Sequence, residues 1–126
     1  MERDLAHPFA WTIERDGRLL GEARLDGFDP DDRRARLAVG LYGPRKLGKG
    51  LGREAIAVIL LHAFGALKLR CVDLHKTSTN ERAIRCYRAC GFIVEGRRRE
   101  CAHVDERRHD DVFMGVLPRD HANGAR

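Results

Sequence analysis

The sequence predicts a mixed α/β domain of order β-β-β-α-β-α-β-β, and three observations predict it. Three short alternating segments open the chain, punctuated by Asp16-Gly17 and by Gly27 and Pro30. A glycine-dense stretch then runs straight into an apolar stripe of helical period. A second helical segment, with its own start and stop signals, lies between two further strands.

Each element has a local cause. Residues 9–15 alternate as a strand; Asp16-Gly17 is a hairpin turn, and residues 18–25 return beside it. Residues 26–32 read as a polar turn. Residues 36–41 form the third strand, with Leu37, Val39 and Leu41 on one face, and Gly43-Pro44 stops it. After the glycines, Ile56, Leu60, Ala63, Phe64 and Leu67 recur at three and four, the spacing of one helix face. Residues 69–74 are a short strand. Ser78-x-x-Glu81 reads as a capping box, which starts a helix near Thr79. That helix carries Ala83, Ile84, Tyr87 and Cys90 on one side and ends at Gly91. Residues 92–95 and 112–117 are the last strands, and 118–126 read as a disordered tail. The chain is a single domain, 1–126, with its core at about 9–117. Its central strand–helix–strand unit makes a right-handed parallel crossover.

Composition removes several classes of function. With 126 residues and 43% hydrophobic content the chain can bury a core. The longest apolar run, residues 55–61, is too short to cross a bilayer, and no secretory signal opens the chain. Four cysteines without a C-x-x-C pair suit reduced thiols in the cytoplasm; Cys86 and Cys90 stand four apart and share a helix face. No metal site is expected, because the histidines lack matching spacing. The single serine, Ser78, lacks the G-x-S-x-G setting of a hydrolase. The net charge of +5 suits a polyanionic ligand. Only three Tyr and Trp residues are available for stacking, so nucleic acid is not the expected partner.

The segment Leu47-Gly48-Lys49-Gly50-Leu51-Gly52 is the most informative stretch. A strand, a glycine turn and a helix N-terminus together bind anions, because unpaired N–H groups and the helix dipole point the same way. The dinucleotide fingerprint fails, since Arg53 stands where its third glycine is due. The Walker pattern runs from Gly43 to Gly48-Lys49 but then has Gly50 in place of the magnesium-binding Ser or Thr. A pyrophosphate held by backbone amides without metal fits best. A tight packing turn remains the alternative.

Together with Asn80-Glu81-Arg82-Ala83 and with Tyr87 ahead of Cys90-Gly91-Phe92, this segment resembles the GNAT superfamily of N-acetyltransferases. Within it the likeness is greatest to the branch of ribosomal-protein alanine N-acetyltransferases. The resemblance spans about residues 9–117. It implies the GNAT acyltransferase fold, lacking the family's first strand and first two helices before Phe9, and acetyl-CoA as co-substrate. Carried over, the backbone of Leu41 and Tyr42 faces the pantetheine arm and thioester. The amides of Gly48, Lys49, Gly50, Leu51, Gly52 and Arg53 hold the pyrophosphate. Asn80 bonds the pantetheine arm, and Tyr87 sits by the sulfur as the acid for the leaving thiolate. Asn80 and Tyr87 are seven residues apart, so one helix face presents both about 10.5 Å apart. Leu47 departs from the family's Arg or Gln, leaving Lys46 and Lys49 as the nearby cations.

The implied reaction moves an acetyl group to a primary amine by direct attack. Protein N-termini, aminoglycosides and polyamines all remain open as acceptors. The alternative is a CoA-binding or structural domain without catalysis. The base is not assigned; Glu22, His109 and Asp110 are the candidates. A chain without the leading elements exposes apolar surface and a sheet edge, so a homo-oligomer is expected, most simply a two-fold dimer.

Overall fold

A computed structural model describes residues 2–3, 9–41 and 51–124. One seven-stranded sheet runs in the order β1-β2-β3-β4-β5-β7-β6. Its strands are β1 (Glu2–Arg3), β2 (Ala10–Arg15), β3 (Arg18–Asp29), β4 (Arg34–Leu41), β5 (Cys71–Thr77), β6 (Ile93–Val104) and β7 (Arg107–Val116). The helices are α1 (Leu51–Gly65), α2 (Glu81–Ala89) and α3 (Pro118–Gly124). All neighbouring strands are antiparallel except β4 and β5, which are parallel and joined by α1.

Period-two alternation sorts the sheet into two faces. Trp11, Ile13, Ala23, Leu25, Ala35 and Leu37 point to one side, continued by Val72, Leu74, Val112, Met114 and Val116, all buried. The expected stripe of α1 covers this face: Ile56, Leu60 and Ala63 are at most 1% exposed, with Ala55 and Ile59 buried beside them. Phe64 and Leu67 pack at its border. Ala83, Tyr87 and Cys90 of the α2 segment close the same core. The opposite face carries Glu22, Arg24, Arg36, Asp73, His75 and Asp111, and no helix among the described residues covers it.

The structure corrects five readings. Residues 118–124 are not a tail: they form α3, begun by Pro118 at a position that needs no N–H, with the Asp120 carboxylate accepting from the Leu117 amide at 3.0 Å. His121 is buried against Phe64, with ring centres 6.0 Å apart. The polar turn at 26–32 is shorter than expected, because β3 continues to Asp29 through a bulge that Gly27 permits at φ +63°. The strand placed at 69–74 runs instead from Cys71 to Thr77. A strand does precede Phe9, since Glu2–Arg3 pairs with Thr12 and Trp11. The last two strands are far longer than read, and form a hairpin that turns at Asp105-Glu106.

Candidate active site

β4 and β5 pair only as far as Arg36 and Asp73. Beyond that point β4 runs on to Leu41 and β5 to Thr77, so two parallel strands part company in mid-sheet. Backbone groups along that edge of β4 are left open to an extended ligand that can pair with them as a strand would.

A cleft of about 210 Å³ fills the gap on the helical side. Val39 and Gly40 of β4, Gly52 and Ile56 of α1, Lys76 of β5, and Asn80, Ala83, Cys86 and Tyr87 of α2 line it. Helix α1 begins at Leu51, so the first amides of that helix, which have no partner within it, stand at the mouth with Gly52 on the wall. Asn80 and Tyr87, carried over from the family resemblance and expected on one helix face from their spacing, do line the same cleft. Leu41, Leu51 and Arg53 also lie where expected along the chain, ending β4 and opening α1. Tyr42, Gly48, Lys49 and Gly50 lie outside the described residues.

The cap of α2 differs from the sequence reading. Asn80, not Ser78, is the N-cap, and the helix begins at Glu81; Asn80 Oδ1 accepts from the Ala83 amide at 3.3 Å. The Ser78 amide instead donates to the Asp110 carbonyl. Using its oxygen as the cap leaves the Asn80 side-chain nitrogen as the end available to a ligand carbonyl.

Tyr87 is 6% exposed and meets the Phe92 ring edge-on at 5.7 Å. Burial, and then the neighbouring Cys86 and Cys90, push its phenol up to about 12. The hydroxyl is protonated at any working pH. Cys90 is buried, and its Sγ lies 3.7 Å from the Arg53 carbonyl oxygen.

A second cavity, of about 300 Å³, lies across β2, β3 and β4 and shares Val39 and Gly40 of β4 with the first as lining. Thr12, Glu22, Arg24, Ala38 and Gly40 contribute to its lining. The Thr12 hydroxyl oxygen is buried with no hydrogen-bond partner among the described residues, as a group awaiting a ligand would be. A Cβ added at Gly40 meets nothing within 4 Å, so this glycine keeps open space on a strand that lines both cavities.

Of the three candidate bases, Glu22 lines this second cavity. Asp110 is committed elsewhere: its carboxylate accepts from Arg97 at 2.9 Å and from the Glu100 amide at 3.1 Å, which pins the bulge in β6. Glu100 and then Arg97 hold that carboxyl below the usual carboxylate range. His109 pairs with Ala102 in the outer hairpin, past the end of β5. Sequence reasoning missed His75. Its Nδ1 lies 3.0 Å from Asp111 Oδ2, and its ring packs on Phe113 at 5.6 Å. His75 and Ala38 each lie two residues beyond the last β4–β5 pair, on the open face at the rim of the parting. Strand alternation gives the only sequence signal, a polar residue between Leu74 and Lys76; its carboxylate partner is 36 positions away.

Among the described residues, no group of His, Cys, Asp and Glu is placed to hold a metal ion, and no helix is long and apolar enough to cross a membrane.

Comparison with known proteins agrees with this geometry. The family model described as "Acetyltransferase (GNAT) family" matches residues 2–92. A Bacillus subtilis protein, YdaF, provisionally named a ribosomal N-acetyltransferase, is 29% identical over 106 residues, covering 83% of this chain and 57% of that protein. The Escherichia coli K12 spermidine N(1)-acetyltransferase is 34% identical over 86 residues, covering 68% of this chain and 46% of the relative. The chain thus spans about half the length of the curated relatives it matches. A dodecameric structure of the Vibrio cholerae spermidine N-acetyltransferase superposes with a TM-score of 0.81 at 26% identity, over 93% of this chain and 68% of that one. The fold is that of these acetyltransferases, and the chain belongs to the GNAT family of acetyltransferases.

Proposed function

We propose that this chain moves an acetyl group from acetyl-CoA to a primary amine, of a protein N-terminus or a small molecule, by direct attack. The observation that carries the reading is the parting of β4 from β5, with a cleft on one side and an acceptor-sized cavity on the other, both lined by Val39 and Gly40. The amides of Gly48, Lys49, Gly50, Leu51, Gly52 and Arg53 cradle the pyrophosphate without metal. The open edge of β4 at Leu41 and Tyr42 and the Asn80 amide take the pantetheine arm, and the bound thioester supplies an activated acetyl group. The Tyr87 hydroxyl donates to the departing sulfur.

His75 is the base in this reading. Asp111 on its Nδ1 fixes the ring and stabilises the cation formed when the other nitrogen takes a proton from the amine. Glu22 and the Thr12 hydroxyl bind the incoming ammonium group. One carboxylate on the cavity wall, in a chain of net charge +5, suits an acceptor with a single ammonium group better than a long polycation. The relatives named for spermidine make a polyamine the other acceptor to test. Free thiols at all four cysteines suit the cytoplasm. The helix-free sheet face suits a homo-oligomer, a dimer at its simplest, as does the dodecamer of the Vibrio relative.

The deciding assay supplies acetyl-CoA with an alanine-terminated peptide, spermidine and an aminoglycoside, and follows release of free thiol. Turnover with none of them would leave a CoA-binding domain without catalysis. His75→Gln is expected to lower kcat about 10²-fold with acetyl-CoA affinity retained. Near-parental turnover would pass the role to Glu22 or to water.

Gly40→Val gives a sharper test of the acceptor cavity. Its side chain enters open space, and a β-branched residue suits a strand, so stability should hold or rise by about 0.5 kcal/mol. Turnover should nonetheless fall at least about tenfold, because the new methyls fill open space at a residue that lines both cavities. A folded Gly40→Val variant with parental kcat/KM would put the acceptor elsewhere.

A further inference from the structure

One feature of the cleft takes no part in acetyl transfer. Cys86 lines the cleft one residue before Tyr87. Its thiol is half-buried and stands one turn before Cys90, whose sulfur lies 3.7 Å from the Arg53 carbonyl oxygen. We propose that Cys86 is a modification site for CoA itself, forming a mixed disulfide with its thiol and thereby closing the cleft to acetyl-CoA. The inference rests on the acetyl-CoA reading, which lays the pantetheine arm along Asn80, Ala83 and Tyr87 and brings its terminal sulfur to the Cys86 wall.

The oxidant is CoA disulfide. Cys86 loses its proton to solvent, and the thiolate attacks one sulfur of that disulfide. A bond forms between Cys86 Sγ and the CoA sulfur, and the original sulfur–sulfur bond breaks. The other CoA leaves as a thiolate and takes a proton from solvent. One disulfide is consumed and one is made. The neighbouring Cys90 thiol, with the Arg53 charge in support, holds the Cys86 thiol below the ordinary thiol range, against its burial. The neighbouring Cys86 and burial push Cys90 the other way, which favours ionisation at Cys86.

Helix geometry makes the adduct long-lived. Resolving it requires Cys90 to attack Cys86 and close a disulfide between positions four apart. Such Cβ atoms lie about 5–6 Å apart on a helix, and a disulfide needs about 3.5–4.5 Å. Cys90 therefore activates Cys86 without displacing the CoA, and an external thiol is required to restore the cleft.

The test incubates the whole chain with CoA disulfide and, separately, with glutathione disulfide, and reads each cysteine by peptide mass spectrometry. Exposed Cys101 serves as the internal reference. The expected result is one CoA on the peptide carrying Cys86, formed at least about tenfold faster than the glutathione adduct, since cleft contacts worth about 1.4 kcal/mol suffice for that ratio. Excess acetyl-CoA should suppress it, dithiothreitol should reverse it, and Cys86→Ser should lack it while Cys101 still reacts. Cys86 left unlabelled beside a labelled Cys101 overturns the proposal. So does equal labelling by both disulfides without protection by acetyl-CoA. Calorimetry of acetyl-CoA binding separates the two failures. Binding without labelling sinks the modification alone, whereas absence of binding sinks the cleft reading and the modification with it.

Discussion

Tyr87→Phe is expected to lower kcat by about 10²–10⁴-fold while acetyl-CoA affinity and melting temperature stay near parental values. The contacts that bury this ring belong to its carbons, which Phe supplies equally: the edge-on packing on Phe92 and the wall it shares with Ala83. Only the hydroxyl changes. A phenol pushed up to about 12 always has its proton, but surrenders it less readily than an exposed phenol near 10. In the proposed reaction its largest contribution is thus a hydrogen bond that strengthens as charge develops on sulfur, a transition-state effect that kcat reads and KM does not. A variant with near-parental kcat would make Tyr87 a packing residue and hand the leaving group to water. Ultraviolet titration supplies a readout free of catalysis. The parent should retain a phenol that ionises near 12, and Tyr87→Phe should lack it.

Where a residue's role is local, the sequence was readable. Asp16 and Gly17 take φ of 54° and 75°, the paired left-handed turn that an Asp-Gly dipeptide announces. Asp105 and Glu106 make the same kind of turn at 51° and 62°, but with no glycine, so nothing in the sequence advertises it and the long β6–β7 hairpin went unread. Charged residues on both of those strands further hid their alternation, because half of their surface faces solvent. Asn80 and Tyr87 were legible through the family resemblance, and their shared face because one short helix fixes their spacing. The proposed acceptor cavity was not, since Thr12, Glu22 and Gly40 meet only through strand register. His75 and Asp111 are likewise brought together by the β5–β7 register, and linear spacing has no access to such a pair. Ser78 and Asn80 both offer a capping side chain at the start of α2. The carbonyl of Asp110 decides between them by taking the Ser78 amide, a contact 32 positions distant.

Gly91→Ala is expected to lower the melting temperature by about 10–15 °C, through a loss of about 3–4 kcal/mol. Gly91 follows the Cys90 cap of α2 at φ +103°, a backbone state that side chains disfavour by roughly 1–2 kcal/mol. Its amide bonds the Arg88 carbonyl, and the Phe92 amide bonds that of Tyr87, each at 3.0 Å, so the turn completes a Schellman cap. The apolar contact that accompanies such a cap is here the Tyr87–Phe92 ring pair. Space adds a second cost. The new Cβ would stand 2.6 Å from the Asp120 carbonyl oxygen and 3.2 Å from His121 Cα, both backbone atoms of α3 that no rotamer change can move aside. Either α3 shifts, pulling His121 off Phe64, or the cap opens and loosens Tyr87. The Ala variant should accordingly lose turnover even below its melting point. Gly65→Ala, where the added Cβ meets nothing within 4 Å, is the control and should melt within a few degrees of the parent. Equal melting temperatures for the two variants would show that α3 does not bear on the α2 cap and that the Gly91 conformation carries no stability.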